Sequence, residues 1–290
     1  MCQTNRVMTI QTPDDFSFVE TIDAHGWRAL LPFSWTQETH TLEYVYEHTS
    51  GVVCILRMTA PNGDLIVDAD LEDDETLDVI RKILQLDMPM DAFYEYCLQH
   101  EKLSHIPRLK QGRLLVGPTV FEDVVKVICT TNTTWAQTTS MVTRIVDAYG
   151  SPHPTTPGRK AFPTPQQIAE DTLEGFSAKA KLGYRNASVY KIASDIASGN
   201  LDLEPLRSPA LDAAALYKQL LTLPGVGPYA ASCLMIYLGR YDRVNVDSWA
   251  RTLVGQELVR TVTDKEAHAF FEEYGEWKAL VYHFYPWATQ

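Results

Sequence analysis

The sequence predicts an α+β protein in which strands come first and helices follow. Between Phe16 and Asp68, short runs of β-branched and aromatic residues are separated by turn residues, as in an antiparallel sheet. From Thr76 onward, apolar residues recur three and four positions apart, as in helices with one buried face. Because the strands precede the helices and do not alternate with them, the α+β class is indicated.

The N-terminal part predicts a sheet with one solvated face. Residues 1–10 are predicted to be a loose leader, and the acidic run 68–75 a solvated loop, with a metal site as the alternative. Asn62-Gly63 is a favoured turn for a two-residue hairpin. Three apolar runs predict strands over 42–46, 52–58 and 65–67.

The helices that follow frame a polar loop. Val120, Val124 and Ile128 recur four residues apart and predict a buried helix over 119–130. A threonine-rich break separates this helix from a second one, predicted over 135–149.

One or two closely packed domains are expected, because 290 residues exceed one small core, and the patterns predict two. The first domain is predicted over 12–115 and contains the sheet with trailing helices. The second is predicted over 116–290 and is all-helical, with a proline-rich connector at 151–161.

Composition excludes several classes of protein. No stretch approaches the apolar length of a membrane span, and the N-terminus lacks the pattern of a signal peptide. The cysteines are scattered without a C-x-x-C pair, which indicates reduced thiols in a cytosolic protein and excludes a clustered four-cysteine iron–sulfur loop. They are Cys2, Cys54, Cys97, Cys129 and Cys233.

The net charge of −12 is unevenly distributed. Residues 1–100 carry 5 Lys and Arg against 18 Asp and Glu, whereas residues 101–260 carry 18 against 14. A nucleic-acid binder usually has a basic footprint, and here the acidic excess lies in the sheet part, away from the helical part. We therefore expect weak non-specific affinity with local electrostatic focusing.

A glycine turn in the helical part is the strongest single motif. Pro224-Gly225-Val226-Gly227 predicts a tight turn, since glycine adopts positive φ without a steric cost. The exposed N–H groups of such a turn, at the positive end of a helix dipole, bind a phosphate without lysine or arginine. The alternative is an ordinary helical corner packed in a core.

The turn is predicted to join two helices. The first is predicted to begin at Pro209 with Ser208 as its cap, and Pro228 begins the second, so that the helix–hairpin–helix spans 209–238. The segment 244–254 follows, with an aspartate at the start of a third helix.

Leu-Pro-Gly-Val-Gly, followed 20 residues later by Val-Asp at a helix start, resembles the helix–hairpin–helix DNA glycosylase superfamily. The segments 121–150 and 182–185 resemble the 8-oxoguanine DNA glycosylase branch. The sheet-rich N-terminal part is similar to the accessory domain of 8-oxoguanine and 3-methyladenine DNA glycosylases. The resemblance covers about residues 16–287.

The resemblance implies that Asp247 is the catalytic residue. Breaking the bond between base and deoxyribose passes through a positively charged sugar, which a fixed carboxylate stabilises while it orients or deprotonates water. The structural alternative is an N-cap for the helix that begins at Ser248, and one side chain can do both.

The resemblance also implies a distinction at Tyr229. Relatives that cleave the DNA backbone carry a lysine at the matching position, and its amine attacks the sugar to form a Schiff base. Tyrosine cannot form a Schiff base, so a monofunctional glycosylase is implied. The alternative is a packing aromatic in the first turn of a helix.

By the same resemblance, Asn132, Tyr184 and Arg185 are the groups that fill the gap left by an extruded base and read its former partner. Gln137 stands where the 8-oxoguanine enzymes have a second partner-reading arginine, which weakens the expectation of cytosine selectivity. The alternatives are a loop cap for Asn132 and a surface salt bridge for Arg185.

The resemblance places Cys233, Trp249 and Tyr282 in the base pocket, within an aromatic wall that extends to Phe284 and Trp287. Ordinary core packing is the alternative for each of them. The hairpin residues expected at the DNA phosphate are Leu223, Pro224, Gly225, Val226, Gly227 and Tyr229, and the carbonyls expected to hold a monovalent cation are those of Leu221, Leu223 and Val226.

The sequence therefore predicts a monofunctional DNA N-glycosylase that extrudes and hydrolytically removes an oxidised or alkylated purine. The alternatives are a non-catalytic helix–hairpin–helix DNA-binding module, which would not need Asp247, and a glycosylase with weak lyase activity through another amine. The expected partner is double-stranded DNA with a damaged base, bound by a cytoplasmic monomer, at the nucleoid if the source is bacterial. No cofactor is expected beyond a structural Na⁺ or K⁺ at the hairpin.

Overall fold

The computed structural model describes residues 6–287, which form a five-stranded sheet and fourteen α-helices, so that the predicted α+β class is confirmed. The strands are β1 Arg6–Ile10, β2 Phe33–Thr36, β3 Thr41–Glu47, β4 Val53–Thr59 and β5 Leu65–Ala69. The first seven helices are α1 Phe18–Asp23, α2 Asp74–Ile83, α3 Asp91–Leu98, α4 His105–Leu109, α5 Val120–Thr130, α6 Trp135–Tyr149 and α7 Pro165–Ala169. The other seven are α8 Leu173–Ala180, α9 Asn186–Ala197, α10 Ala213–Leu220, α11 Pro228–Tyr237, α12 Ser248–Glu257, α13 Asp264–Glu272 and α14 Lys278–Phe284.

The sheet is antiparallel, in the order β1-β5-β4-β3-β2. The three predicted strands correspond to β3, β4 and β5. The prediction of a loose leader is wrong for residues 6–10, which form β1 and pair with β5, while residues 1–5, including Cys2, lie outside the described residues. Met8 and Ile10 are buried whereas Val7 is 71% exposed, so the alternation of a strand was already present in this short segment.

The hairpin between β4 and β5 is confirmed, but its loop is longer than the predicted two-residue turn. The ladder ends at the pair Thr59↔Ile66, which leaves the chain between them as a loop. Gly63 has φ +93°, a conformation that suits glycine, at the tip of this loop.

A buried polar network fixes α5 against the sheet. The Tyr44 hydroxyl donates a hydrogen bond to Glu122 at 2.7 Å, and the Lys126 ammonium donates to the other oxygen of that carboxylate at 2.5 Å. The Trp27 indole N–H donates to Asp123 at 3.0 Å, and burial raises the pKa of Asp123 to about 6. Buried charges are tolerated when they are paired and hydrogen-bonded, so this network holds α5 in one place.

The predicted helices over 119–130 and 135–149 are confirmed as α5 and α6. The prediction that the first hairpin helix starts at Pro209 is wrong: α10 starts at Ala213, and Asp212 caps it by accepting from the Ala215 N–H at 2.8 Å. Ser208 instead ends a 3₁₀ turn, and its carbonyl accepts from the Leu211 N–H at 3.1 Å. Asp212, four residues after Ser208, competed successfully with Ser-Pro for the cap.

Two clusters of buried apolar side chains make up most of the core. The first cluster joins the sheet to the helices between α5 and α11. The second cluster joins α3 and α4 to α12, α13 and α14. The domain boundary near residue 115 stays a prediction, but α3 and α4 pack with the C-terminal helices and not with the sheet.

The acidic run 68–75 is used for local structure. Asp70 accepts from the Ile55 N–H at 2.7 Å and pairs with His153 at 3.0 Å, while Asp73 caps α2 through the Thr76 N–H at 2.9 Å. Within residues 6–287, no group of three or more His, Cys, Asp and Glu has the arrangement of a metal site. None of the helices described there is long and apolar enough to cross a membrane.

Candidate active site

The glycine turn is a tight hairpin between α10 and α11. Gly225 has φ +77°, and a Cβ there would lie 2.7 Å from the Cβ of Ser188 on α9, so this position requires glycine on two grounds. Gly227 precedes Pro228 as the N-cap of α11, and a Cβ there would meet nothing within 4 Å. The hairpin therefore packs on α9 at Gly225 and opens to solvent at Gly227.

Only some of the hairpin residues that are predicted to bind a DNA phosphate face solvent. Gly225, Gly227 and Tyr229 are exposed, whereas Leu223 and Val226 are 7% and 5% exposed. The Val226 N–H donates to the Leu223 carbonyl at 3.1 Å and so closes the turn. Leu223 and Val226 are thus apolar anchors and not phosphate ligands, which corrects that part of the prediction. Pro224 is half-buried beside them and has no N–H to offer.

Asp247 lies across a cleft from the hairpin. It caps α12, because its Oδ1 accepts from the Ala250 N–H at 2.8 Å. The cap uses one carboxylate oxygen and fixes the side chain, and Asp247 lines the cleft together with Ser248. The prediction that one side chain can cap a helix and face the cleft therefore agrees with the geometry.

Tyr229 and Cys233 lie one turn apart on α11 and are both linked to the chain segment before Asp247. The Asn245 amide donates to the Tyr229 carbonyl at 3.0 Å and to the Cys233 sulfur at 3.1 Å. Burial raises the pKa of Cys233 to about 12, so its thiol is neutral. Burial raises the pKa of Tyr229, and the neighbouring Cys233 and Asp247 raise it further, which keeps this phenol neutral as well.

Tyr282 on α14 closes the same region from the other side. Burial raises its pKa first, and the charges of Asp247 and Cys233 raise it further, which places it within electrostatic range of both. Tyr282 also packs edge-on against Phe271, with ring centroids 5.5 Å apart. The predicted pocket residues Cys233 and Tyr282 are therefore brought together near Asp247.

The rest of the predicted aromatic wall divides between surface and core. Trp249 is 57% exposed on the first turn of α12 and, like Cys233 and Tyr282, is not among the residues that line the cleft, so its role in the base pocket stays a prediction. Phe284 and Trp287 are 7% and 4% exposed and belong to the second cluster. For these two residues ordinary core packing is the correct interpretation.

Two short turns form the wall opposite Asp247. Asn132 is exposed at φ +45° between α5 and α6, and Tyr184 is 68% exposed in the 3₁₀ turn before α9. The Tyr184 hydroxyl lies 3.4 Å from Thr131 Oγ1, and this hydrogen bond is the first cause of its lowered pKa. An exposed tyrosine and an exposed asparagine thus stand side by side at the cleft, as predicted for inserting groups.

Arg185 has a role that the sequence did not predict. It is 7% exposed, and its guanidinium donates to the carbonyls of Ile128 at 3.1 Å, Leu182 at 3.3 Å and Thr131. Its guanidinium also lies 4.3 Å from the Tyr184 ring centroid. In this structure Arg185 therefore ties the two turns together and forms no salt bridge with any described residue, while partner-base reading by Arg185 stays a prediction.

Gln137 is likewise engaged in local structure. Its side-chain oxygen accepts from Thr133 Oγ1 at 2.6 Å and from the Thr134 N–H, which completes the capping box of α6. Gln137 and Arg185 both line a second depression of about 380 Å³ on the other side of the Asn132 turn. Partner reading by Gln137 stays a prediction, and its position beside that depression is compatible with it.

The cleft itself has a volume of about 550 Å³. It brings together the exposed part of the hairpin, the Asn132 and Tyr184 turns, Tyr229 and Asp247, which are far apart in the chain. Among the described residues that line it there is no lysine. The monovalent cation at Leu221, Leu223 and Val226 stays a prediction, and the Leu223 carbonyl already accepts one hydrogen bond.

Sequence reasoning missed three residues near the site. Asn245 was overlooked because an asparagine in an extended segment carries no periodic signal. His25 and Trp135 were overlooked because their position depends on the packing of the N-terminal part against α6 and α11. A Cβ at Gly26 would lie 2.5 Å from the Trp135 ring, so this ring rests directly on the backbone next to His25.

Comparisons with known proteins support the resemblance that was inferred from the sequence. No protein-family model matches the chain. The chain is 26% identical over 203 residues to N-glycosylase/DNA lyase OGG1 of Arabidopsis thaliana, a match that covers 64% of this chain and 54% of that protein. The chain thus spans about half the length of this curated relative.

Two solved structures match almost the whole chain. An 8-oxoguanine glycosylase/lyase from Clostridium acetobutylicum in its apo-form has a TM-score of 0.77 at 17% identity, covering 98% of both chains. A 3-methyladenine DNA-glycosylase from Archaeoglobus fulgidus has a TM-score of 0.72 at 18% identity, covering 97% of both chains. These matches confirm the fold and the resemblance to the helix–hairpin–helix DNA glycosylases.

Proposed function

We propose that this protein is a DNA N-glycosylase that extrudes a damaged purine from the duplex and hydrolyses its bond to deoxyribose. One observation carries the proposal: a single cleft is lined by an outward-facing glycine hairpin, by exposed Asn132 and Tyr184, and by Asp247. A phosphate site, a wedge and a carboxylate are the three parts that removal of an extruded base requires. The resemblance to known DNA glycosylases supports the same activity.

The hairpin and the wedge hold the DNA in this mechanism. The N–H groups of the exposed glycines, at the positive end of α11, bind a phosphate next to the damaged nucleotide. Asn132 and Tyr184 enter the duplex and occupy the space of the extruded base. Because this binding uses backbone and neutral side chains, it is compatible with a net charge of −12.

Asp247 supplies the chemistry. As the bond to the base breaks, positive charge develops on the sugar, and a carboxylate held by its cap hydrogen bond stabilises that charge without having to reorganise. The same carboxylate orients or deprotonates the water that attacks the sugar carbon. The electron pair of the broken bond leaves with the base, and the product is an abasic site.

Hydrolysis without strand cleavage is the finer part of the proposal. Tyr229 stands at the position where relatives that cleave the DNA backbone carry the Schiff-base lysine. Burial raises the pKa of Tyr229 and keeps it a neutral phenol. The cleft lining described above offers no lysine in its place. The names of two relatives include lyase activity, so this chain would differ from them at the nucleophile.

The substrate class is proposed as oxidised or alkylated purines, in double-stranded DNA. Names of similar proteins include 8-oxoguanine and 3-methyladenine. The reaction as proposed needs no cofactor, and a monovalent cation at the hairpin would only support phosphate binding. A cytoplasmic monomer is the form that we propose acts on DNA.

The decisive variant is Asp247→Asn. Asparagine also caps helices, so the fold should persist while the charge is lost. We expect base release to fall at least about 100-fold, as for the loss of one transition-state stabilising group, with DNA binding retained. The measurement is single-turnover base release from duplexes that carry 8-oxoguanine, hypoxanthine, 3-methyladenine or 1,N6-ethenoadenine.

Asp212→Asn is the matched control. Asp212 caps α10 with the same geometry, an Oδ1 that accepts from an N–H at 2.8 Å, but on the hairpin helix. Its release rate should equal that of the wild type. If Asp247→Asn also retained the wild-type release rate, Asp247 would not be the catalytic residue and another group would drive the reaction. If the wild type released no base from any duplex, the protein would be a DNA-binding module.

Borohydride trapping tests the finer claim. A lyase forms a Schiff base with the sugar, which borohydride reduces to a stable covalent complex. We expect no such complex, and a strand that breaks only after alkali treatment. A trapped complex of the wild-type protein would contradict the proposal that the protein lacks lyase activity, while leaving the proposed glycosylase activity in place.

A further inference from the structure

The chain approaches Asp247 through a segment without regular backbone hydrogen bonds. Residues 242–246 lie between α11 and α12, outside any helix or strand. Their backbone groups make no hydrogen bond to another backbone group within residues 6–287. The position of this segment, and with it the entry into α12 at Asp247, therefore depends on the side chains that the segment carries.

Apolar and aromatic contacts provide part of that attachment. Val244 is buried in the second cluster, and Val246 packs against the same cluster. The guanidinium of Arg243 lies over the Tyr217 ring of α10, 3.9 Å from the ring centroid. Apolar packing is not directional, so it keeps the segment in place without fixing its exact distance from α11.

Asn245 provides directional contacts to α11. Its Nδ2 donates hydrogen bonds to the Tyr229 carbonyl at 3.0 Å and to Cys233 Sγ at 3.1 Å. An amide nitrogen carries two hydrogens, so both bonds can be made at once. Tyr229 is the second residue of α11, and the exposed glycines of the hairpin lie directly before this helix. Asn245 thus joins the segment to the end of α11 that is proposed to bind a DNA phosphate.

Asp247 faces the same two turns of α11 that Asn245 bonds. Burial raises the pKa of both Tyr229 and Cys233, and the charge of Asp247 contributes to each rise, so Asp247 lies within electrostatic range of both. The cap hydrogen bond to the Ala250 N–H fixes the carboxylate relative to α12. The Asn245 amide fixes the start of α12 relative to α11, so the two sets of bonds are complementary.

Asn245 does not border the cleft. It is not among the residues that line the cavity of about 550 Å³ in which Asp247 lies. Both hydrogens of its amide are already used within the protein. Any effect of Asn245 on the reaction therefore has to act through Asp247.

We propose that Asn245 is a positioning residue, whose amide fixes the Asp247 carboxylate relative to the hairpin. This inference rests on the proposed glycosylase function and adds a residue to its machinery. The sugar that is attacked is linked covalently to the phosphate held at the hairpin. The distance between hairpin and carboxylate therefore decides whether the carboxylate meets the charge that develops on the sugar. A misplacement of about 1 Å in such an arrangement can cost on the order of 100-fold in rate.

The test is a double-mutant cycle between Asn245 and Asp247, on the duplex that the wild type processes fastest. Asn245→Ala removes both hydrogen bonds, and we expect the single-turnover rate of base release at saturating DNA to fall on the order of 10- to 100-fold. DNA affinity, measured by titration, should stay near that of the wild type, because the hairpin and the wedge turns are held by the first cluster.

The second half of the cycle separates positioning from a general structural role. In the Asp247→Asn background, Asn245→Ala should lower the remaining rate by less than about 2-fold, because the carboxylate that it positions is already gone. Two independent effects would instead multiply. A multiplicative result would overturn the inference.

Two further variants separate the hydrogen bonds from the volume of the side chain. Asn245→Leu has a similar size but no donor, and it should lose as much rate as Asn245→Ala. Asn245→Gln keeps an amide donor on a longer chain and should recover part of the rate. If Asn245→Ala fails to fold, this pair decides the question in its place, and equal rates for the two variants would overturn the inference.

Asn200→Ala is the matched control. Nδ2 of Asn200 also donates a hydrogen bond, to Ser198 Oγ at 3.0 Å, in an exposed turn after α9. Its release rate should equal that of the wild type. A rate as low as that of Asn245→Ala would show that loss of any such amide slows the reaction, and would overturn the specific role of Asn245.

The wild type itself separates the inference from the function beneath it. If the wild type releases no base from any duplex, the proposed glycosylase function fails. If the wild type releases bases and Asn245→Ala releases them at the same rate, only the role of Asn245 is overturned.

Discussion

The two apolar clusters of this molecule contribute different parts of the site. The first cluster carries the hairpin, the Asn132 turn and the Tyr184 turn, all of which would hold DNA. The second cluster carries α12, whose N-cap is Asp247, and α14, which carries Tyr282. The proposed binding and the proposed chemistry are thus supported by separate sets of buried side chains, and the cleft lies where the two sets meet.

Helix α11 connects the two clusters. Tyr237 is buried in the first cluster and its neighbour Ile236 in the second. Its hydrophobic residues surround it on all sides, as expected for a helix in the middle of a protein. A shift of one cluster relative to the other would therefore act through α11 and change the distance between the hairpin and Asp247. Variants that affect binding and chemistry separately test this comparison.

The largest effect on stability is expected for Arg185→Met, on the binding side. The change removes a buried guanidinium and leaves the carbonyls of Ile128, Leu182 and Thr131 without their donor. We expect a loss of about 3 kcal/mol in the free energy of unfolding and weaker DNA binding, because the two wedge turns lose their link. Urea unfolding and DNA titration measure the two effects.

The comparison also predicts what Arg185→Met should leave intact. At saturating DNA, the rate of the chemical step should stay near that of the wild type, since Asp247 is held by the other cluster. Arg260→Met is a suitable control, because Arg260 forms a surface ion pair with Glu266 and its loss should cost less than about 1 kcal/mol. A chemical step slowed as strongly as by Asp247→Asn would contradict the separation.

A smaller effect is expected for Gly225→Ala in the hairpin. Alanine at φ +77° is strained, and its Cβ would press on Ser188, so we expect a loss of about 1 to 3 kcal/mol in stability together with weaker DNA binding. Gly227→Ala has no such clash and should change stability by less than about 1 kcal/mol. Equal destabilisation by the two changes would show that the hairpin is not anchored on α9 as described.

The smallest expected effect is on the pH dependence of the free energy of unfolding, and it arises from His25 and His283. Burial lowers the pKa of His25 to about 3 and that of His283 to about 4. Groups with a lowered pKa contribute stability that is full above the unfolded value near 6.5 and is lost as the pH falls towards the folded value. We expect His25 to account for about 1 kcal/mol of the stability lost between pH 6.5 and pH 5.5.

Urea unfolding of the wild type and of His25→Phe at both pH values measures this contribution. Asp123, with its pKa raised to about 6, acts in the opposite direction, since its stabilisation is full below its unfolded pKa and is lost as the pH rises through 6. Because the wild type and His25→Phe both contain Asp123, its contribution cancels in the difference between them. An identical pH dependence of both would mean that His25 is not buried in its neutral form.

Much of the fold was predictable because local signals agreed with the tertiary packing. The helix over 135–149 has a capping box at its start and one apolar face, and nothing in its surroundings competes with either. The error at Ser208 shows the limit of such reasoning. Two cap signals lay four residues apart, at Ser208 and Asp212, and the packing of Leu216 and Leu220 selected the second.

The roles of the polar residues were harder to predict. Arg185 and Gln137 were predicted to read DNA, and the structure shows a local role for each that the sequence did not indicate: Arg185 bonds three carbonyls and Gln137 completes a cap. A polar side chain looks the same in a sequence whether its donors face solvent or unpaired backbone groups nearby. The difference arises from which helix ends lie close to it in space.

Local patterns in the chain were enough to predict the order of strands and helices, the glycine turn, and an aspartate at the start of a helix. These features depend on neighbours within a few residues, where periodicity, capping and backbone conformation act. That Asn132, Tyr229 and Asp247 share one cleft became evident only in the folded chain. Such proximity results from packing between distant segments, which no local pattern encodes.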